Sequence, residues 1–449
     1  MNSCAMPAGL RAARRRRAAD VQHALHTACI DLVARHSSKP NRKFIIEMTS
    51  AIARVGTVVV RDCARVLSEV CKAAGTVEKR LSAHLQDPAL WHMINFVILN
   101  RASPAIQVYT PIAIDPTDSQ RRHAVATPGV EGNYDGSAGA AGRGYTHLCA
   151  AAIHLADNGR QRQLVPLLQD TFGLEHETAI HADAHADNAW ADSTFQHYQK
   201  MIKNLSETLG GPIGIDVMDR GMDDKKCFGC ELDHRRWFVI RLCDTRRYVR
   251  YGTMRVYPQH FYATTTARPV RCLAYDKRRR QWRKKTHYID WVRVGVEVQH
   301  LDGRVEEVLL TLLIVKDRKQ RRRMLLLTNL TPDDEGGPDY NPLAFATMLF
   351  QAYLARWGIE TCFDLLKNEI EVETIRARTY VAAQNLFALA WLTLSLLCQL
   401  HALAEPLCQA VLALYQRLHR FTVAYYLYHR WCAALAWLWT VAPIAFSLH

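Results

Sequence analysis

The chain has 449 residues, 49% of them hydrophobic and 22% charged, with a formal net charge of +14. That length and apolar share exclude a disordered tail or a small stapled scaffold, and they allow two or three domains with full cores. The 13 cysteines show no framework spacing and read as reduced thiols of a cytoplasmic protein. Arg14 to Arg17 have no apolar stretch behind them, so the N-terminus does not read as a secretory signal.

The positive charge is clustered. Residues 1–43 carry nine Lys or Arg against Asp20 and Asp31, residues 271–285 carry eight against Asp276, and residues 316–323 carry six against Asp317. Outside these blocks the chain is net acidic. Three such runs are the footprint of a polyanion binder, and Lys277, Arg278, Arg279 and Arg280 are the densest candidate phosphate contacts.

In chain order, residues 20–103 have helical periodicity. Arg61–Lys72 and Val77–Leu85, separated by Gly75 and Thr76, are expected to form a helix-turn-helix-like pair. Val108–Asp115 is an apolar strand expected to end at Asp115. Thr146–Leu155 and Arg162–Leu168 are two further strands, joined by a hairpin turn at Asp157, Asn158 and Gly159. A helix over Ser193–Leu209 leads into a strand over Pro212–Asp219, and Arg236–Leu242 is a fifth strand. Residues 246–330, including Gly295–His300 and Val308–Val315, read as a β-rich insertion. Residues 386–398 are strongly apolar but, at 13 residues, too short to span a bilayer, so a buried core helix is expected there.

The most informative segment runs from Tyr353 to Lys367. At about 100° per residue, one continuous helix places Tyr353, Arg356, Glu360 and Lys367 on a single stripe. Ile359, Phe363, Leu366 and Ile370 form an apolar ridge beside it, by which the helix can dock. Glu360 and Arg356 alone would be an ordinary solvated face. One carboxylate flanked by a guanidinium, an ammonium and a phenol suits a metal ion held next to phosphate oxygens.

This segment resembles the Y-(2)-R-(3)-E-(6)-K signature of bacterial insertion-sequence transposases of the DDE type, with every spacing matched. Asp219, Arg220 and Gly221 resemble the second-aspartate motif of that family, D-R-G followed by a helix. Asp115, Thr117 and Asp118 resemble the first, a hydrophobic strand ending in D-x-T-D. Asp135, followed by Gly136 and Ser137, is a rival first aspartate. Asp115 is preferred because it ends an apolar run, whereas Asp135 follows a stretch poorly suited to a buried strand.

The resemblance implies an α/β fold with an RNase H-like catalytic core carrying a β-rich insertion and flanked by helical regions. The corresponding divisions are a helical DNA-binding region over 1–103, the first part of the core over 104–245, the insertion over 246–340, a catalytic helix over 341–384 and a helical region over 385–449. It further implies that Asp115, Asp219 and Glu360 are catalytic and hold two Mg²⁺ or Mn²⁺ ions. Tyr353, Arg356, Lys367 and Arg220 would then contact DNA. The implied partners are double-stranded DNA, as terminal inverted repeats and target, and a second copy in a synaptic homodimer. The implied setting is the bacterial cytoplasm, at the nucleoid. A DNA nuclease of the same fold, or a DNA-binding protein with a decayed site, are the alternatives.

Two other motifs were weighed. Cys227, Cys230 and His234 could form a zinc corner but lack an evident fourth ligand, and His181 with His185 could form a metal pair. No Walker loop, G-x-G-x-x-G or G-x-S-x-G is present, which excludes the commonest nucleotide-binding and hydrolase motifs.

Overall fold

The structure is a computed structural model. It describes residues 8–33, 38–68, 73–121, 130–135, 140–155, 162–173, 189–243, 245, 247–264, 267–276, 281–317, 323–332, 341–403, 410–411 and 434. Five helices open the chain: α1 (Ala8–Val33), α2 (Lys39–Val55), α3 (Val60–Ser68), α4 (Ala74–His84) and α5 (Leu90–Ala102). In α1 the buried positions Arg14, Ala18, Val21, Leu25 and Cys29 recur every three or four residues, the spacing of one helix face. Arg14 is thus inside, and burial lowers its pKa to about 10. Gly75 and Thr76 do not separate two helices as expected. They lie in the first turn of α4, where no close contact calls for a glycine: a Cβ at Gly75 would meet nothing within 4 Å.

The centre of the protein is a mixed sheet. Its first strands are β1 (Pro111–Gln120), β2 (Glu131–Asp135), β3 (Ala140–Leu155) and β4 (Arg162–Phe172). β3 lies antiparallel to β1 and to β4. Helix α6 (Ala189–Leu209) then leads to β5 (Ile215–Met218), which runs parallel to β1. Helix α7 (Lys225–Asp233) leads to β6 (Trp237–Arg241), parallel to β5. The spatial order through these strands is β4-β3-β1-β5-β6. Helix–strand alternation with both sheet faces covered produces parallel pairing in this half.

β1 does not stop at Asp115. Its pairing with β3 continues from Asp115 opposite Cys149 to Gln120 opposite Gly144, and Pro116 is tolerated because the pairing with β5 has already ended. Residues 131–135, judged a poor strand, form β2 against the start of β3. The turn at Asp157–Gly159 and the pair His181 and His185 lie outside the described residues.

The strands after β6 continue the same sheet. They are β7 (Val249–Tyr251), β8 (Met254–Val256), β9 (Arg268–Asp276), β10 (Gln281–Gln299), β11 (Val305–Asp317) and β12 (Arg323–Thr328), with the short helix α8 (Phe261–Thr264) between β8 and β9. β12 pairs antiparallel with β6, Thr328 opposite Val239, and the order runs on through β11, β10, β7 and β8. The long β10 and β11 hold their register from Gln299 opposite Val305 to His287 opposite Asp317.

Helices α9 (Pro342–Ala355), α10 (Gly358–Asn368) and α11 (Tyr380–Leu403) follow. They cover one face of the sheet: α9 over Ile215, Val217, Val239 and Leu313, and α10 over Ala113, Cys149 and Ile153. The other face packs Ile112, Ile114, Met218 and Ile240 against α6 and α7. Gly358 permits the close seat of α10, since a Cβ there would meet Ile153 and Leu164 at 3.0–3.1 Å. Gly229 in α7 is needed for the same reason, because its Cβ would fall 2.0 Å from the Gln299 carbonyl oxygen on β10. The span Tyr380–Gln399 is long and apolar enough to cross a membrane, but 94% of it is buried inside the protein. It is the shared core of α1 to α5 and α10.

Candidate active site

Strand register brings the two aspartates together. The last parallel pair between β1 and β5 joins Ile114 to Met218. The next residues are Asp115, still within β1, and Asp219, which directly follows β5. Side chains alternate along a strand, so Asp115 shares the face of Ala113 and Asp219 that of Val217. That is the face under α9 and α10. Asp219 also caps the turn Arg220–Met222, its Oδ1 accepting from the Arg220 N–H at 2.7 Å. A helix, α7, follows as the motif implies, capped by Asp224. Arg220 itself is exposed beside the cap.

The segment 353–367 is not one helix. α9 ends at Ala355, and the backbone tightens through Arg356 and Trp357, where Arg356 N–H donates to Tyr353 O (3.1 Å) and Ile359 N–H to Arg356 O (3.0 Å). Those three-residue bonds shift the register, so the expected single stripe is broken at its second member. The ridge of Ile359, Phe363, Leu366 and Ile370 is buried as expected, and it fixes α10 against β1, β3 and β4.

The polar groups of this segment still meet the aspartates. The Arg356 guanidinium hydrogen-bonds Asp115 Oδ2, and its other amino nitrogen lies 3.6 Å from Asp219 Oδ2. The Tyr353 hydroxyl donates to Asp219 Oδ1 at 3.5 Å. From β6, the Arg241 guanidinium stands 3.9 Å from the same oxygen. Lys367 reaches Asp118 on β1 at 3.0 Å and Glu373 at 3.6 Å, while Gln120 holds the other Asp118 oxygen at 2.5 Å. Lys367 is thus already paired with carboxylates. Asp118 is the partner the sequence reading left without a role, although it stands three residues after Asp115 in the quoted motif.

Glu360 acts on the pair through its charge. Burial raises the Asp115 pKa to about 7; Arg356 opposes the rise, and the charges of Glu360 and Asp219 add to it. Burial also works against the Arg356 charge, but Asp115, Tyr353, Asp219 and Glu360 outweigh it and raise its pKa. The Tyr353 phenol is raised by burial and then by Asp219.

A cleft of about 530 Å³ opens beside Asp219 toward β9 to β12. Arg241, Lys285, His287, Arg323, Tyr353 and Arg356 line it. Lys285 and Arg323 are the last residues of the basic runs 271–285 and 316–323. Arg241 was missed by the sequence reading, and its signal was a basic residue at the end of the apolar strand β6. The run Lys277–Arg280, between β9 and β10, lies outside the described residues.

Asp135 is remote from this site. It pairs with Ala140 at the start of β3, whereas Asp115 pairs with Cys149; nine residues of strand span about 30 Å. The zinc corner is not formed either. Cys227 and Cys230 are buried within α7, and among the described residues no three His, Cys, Asp or Glu side chains are grouped so as to hold an ion. That holds for Asp115, Asp219 and Glu360 as they stand. Their oxygen-only chemistry fits a hard divalent cation, and the position between the two aspartates is taken by the Arg356 guanidinium, itself a cation.

No protein-family model matches the sequence, and no curated protein matches it.

Proposed function

We propose that the chain is a DDE transposase of the insertion-sequence type, cutting DNA at element ends and joining the ends to target DNA. The observation that carries this reading is the placing of Asp115 and Asp219 side by side on parallel strands, with Arg356 bridging them and Glu360 within electrostatic reach. Asp115, Asp219 and Arg356, all from the motifs quoted above, thus meet from sequence positions up to 241 residues apart. The strand order β4-β3-β1-β5-β6, antiparallel then parallel, supports an RNase H-like core for this part of the sheet.

Divalent ions held by the three carboxylates would lower the pKa of an attacking water or DNA 3′-hydroxyl and stabilise the leaving oxygen. The residues of the chain do the rest. Asp115 sits within β1 and Asp219 directly follows β5, both central strands of the sheet, so the backbone that carries the two carboxylates is held rigidly, as such chemistry requires. Arg356 and Arg241 stand where phosphoryl oxygens would gain negative charge, and Lys285 and Arg323 extend that positive surface along the cleft.

A supercoiled-plasmid assay tests the reading. Nicking or linearisation in Mg²⁺ that EDTA abolishes, and that Asp219→Asn lacks, is expected for DNA carrying the element ends. Metal-independent cleavage, or full activity in Asp219→Asn, would overturn it.

A further inference from the structure

We infer that Arg356 is an exchangeable occupant of the cation position between Asp115 and Asp219, so that a divalent ion and a DNA phosphate bind this chain with positive coupling. The inference rests on the metal-dependent reading given above and adds a linkage that the reading does not require.

Three structural facts lead to it. First, the guanidinium bonds Asp115, approaches Asp219 to 3.6 Å and is only 8% exposed, so it sits in the position rather than beside it. Neighbouring strands are about 4.8 Å apart. Two carboxylates at that spacing repel unless a positive charge lies between them, and in this structure Arg356 supplies it. Second, Arg356 belongs to the two-residue turn between α9 and α10, not to either helix body. Its side chain can change partner while both helices stay docked on the sheet. Third, it already lines the cleft shared by Arg241, Lys285 and Arg323, where a phosphate would find it.

The exchange follows from charge. A divalent ion between the aspartates makes the guanidinium redundant there and repels it. A phosphate in the cleft then offers that guanidinium an anionic partner. With no ion present, the same move toward phosphate would take from Asp115 its bonded cation and leave Asp219 with only the more distant Arg241 and the Tyr353 hydroxyl. Each ligand therefore removes a cost that opposes the other, and linkage requires the same factor in both directions.

The experiment uses the full chain, Ca²⁺ as the oxygen-seeking probe ion and a short duplex DNA. Calorimetry gives the Ca²⁺ affinity with and without duplex, and fluorescence anisotropy gives the duplex affinity with and without Ca²⁺. In the wild type each ligand is expected to tighten the other by roughly fivefold or more. Arg356→Gln is expected to bind Ca²⁺ more tightly than wild type without DNA, and to bind duplex with an affinity that no longer depends on Ca²⁺. Should Arg356→Gln fail to fold by circular dichroism, Arg356→Lys is read instead. Its ammonium cannot span both carboxylates, so a tighter Ca²⁺ affinity and a weaker coupling are expected. A variant that binds Ca²⁺ no more tightly than wild type, or that keeps the full coupling, overturns the exchange alone. If the wild type binds no Ca²⁺ with or without DNA, the metal-dependent reading falls, and the exchange falls with it.

Discussion

Asp115 and Asp219 are neighbours because β1 and β5 run parallel in a register that ends one residue earlier, at Ile114 and Met218. A slip of one residue would turn one of the two carboxylates to the opposite face of the sheet. The pairing of β1 with both β3 and β5 forbids that slip.

From this register, Asp115→Asn and Asp219→Asn should each abolish DNA cleavage, and Asp135→Asn should leave it largely intact. Asp135 lies about 30 Å of strand away from the pair. Cleavage by the three variants on one substrate decides the matter. Loss of activity in Asp135→Asn with retention in Asp115→Asn would move the first ligand to Asp135.

Glu360→Gln should lose cleavage and strand transfer while binding element-end DNA almost as wild type does. An amide oxygen is a poor replacement for a charged metal ligand, and the cleft cations Arg241, Lys285 and Arg323 are unaltered. Parallel cleavage and gel-shift measurements check this, and cleavage at the wild-type rate would exclude a catalytic role.

Asp115 also gives a pH dependence. Its carboxyl is raised from 3.8 to about 7, chiefly by burial, so the folded protein keeps a proton that the unfolded chain has already lost. The stability this group contributes is complete below its unfolded pKa and is lost as pH rises through about 7. Without divalent ions, Asp115→Asn should therefore melt at a higher temperature than wild type at neutral pH and above. The gap should open from about pH 4 and level off once the folded-state value is passed. Melting curves in EDTA that run parallel across this range would show that Asp115 is not so perturbed.

The ion pair of Arg236 and Asp216 is fully buried, with both nitrogen–oxygen contacts at 2.8 Å, and Arg236 also holds the carbonyls of Gly211 and Ile213. Arg236→Ala should destabilise the protein by about 3–5 kcal/mol, because it leaves a buried charge without its partner. Those carbonyls belong to the turn that feeds β5, so cleavage should fall as well. Urea unfolding measures the first effect. A change under about 1 kcal/mol would mean that Asp216 is neutralised by other means.

Lys285→Ala with Arg323→Ala should weaken DNA binding and flatten its salt dependence. Each lost phosphate contact removes about 0.9 from the slope of log K against log salt. An unchanged slope would make the cleft wall a mere solvated surface.

Much of this architecture was legible because it is local. The strands at 146–155 and 162–168, the helix from 193 to 209 and the buried helix at 386–398 all followed from period and length, and each is present. What local pattern could not show is pairing. Asp115 reads as a strand end until β3 is seen to hold β1 as far as Gln120. The segment 353–367 reads as one helix because its apolar period is unbroken, yet the tight turn at Arg356 and Trp357 interrupts it. The partners of Arg356 and Lys367 were equally hidden, since each lies some 240 residues away in the chain. Tyr353, Arg356 and Lys367, which the motif resemblance reads as DNA contacts, touch Asp219, Asp115 and Asp118 in this structure.

The burial of α11 has a consequence for synthesis. Its apolar surface is covered in part by α1, α2 and α5, which leave the ribosome roughly 300 to 370 residues earlier. Until α11 follows, the apolar faces that those first helices turn toward it stay uncovered. Contacts of such long range form slowly and leave sticky intermediates exposed. The chain is therefore expected to need a chaperone during translation, and a version cut before α11 should accumulate as aggregate.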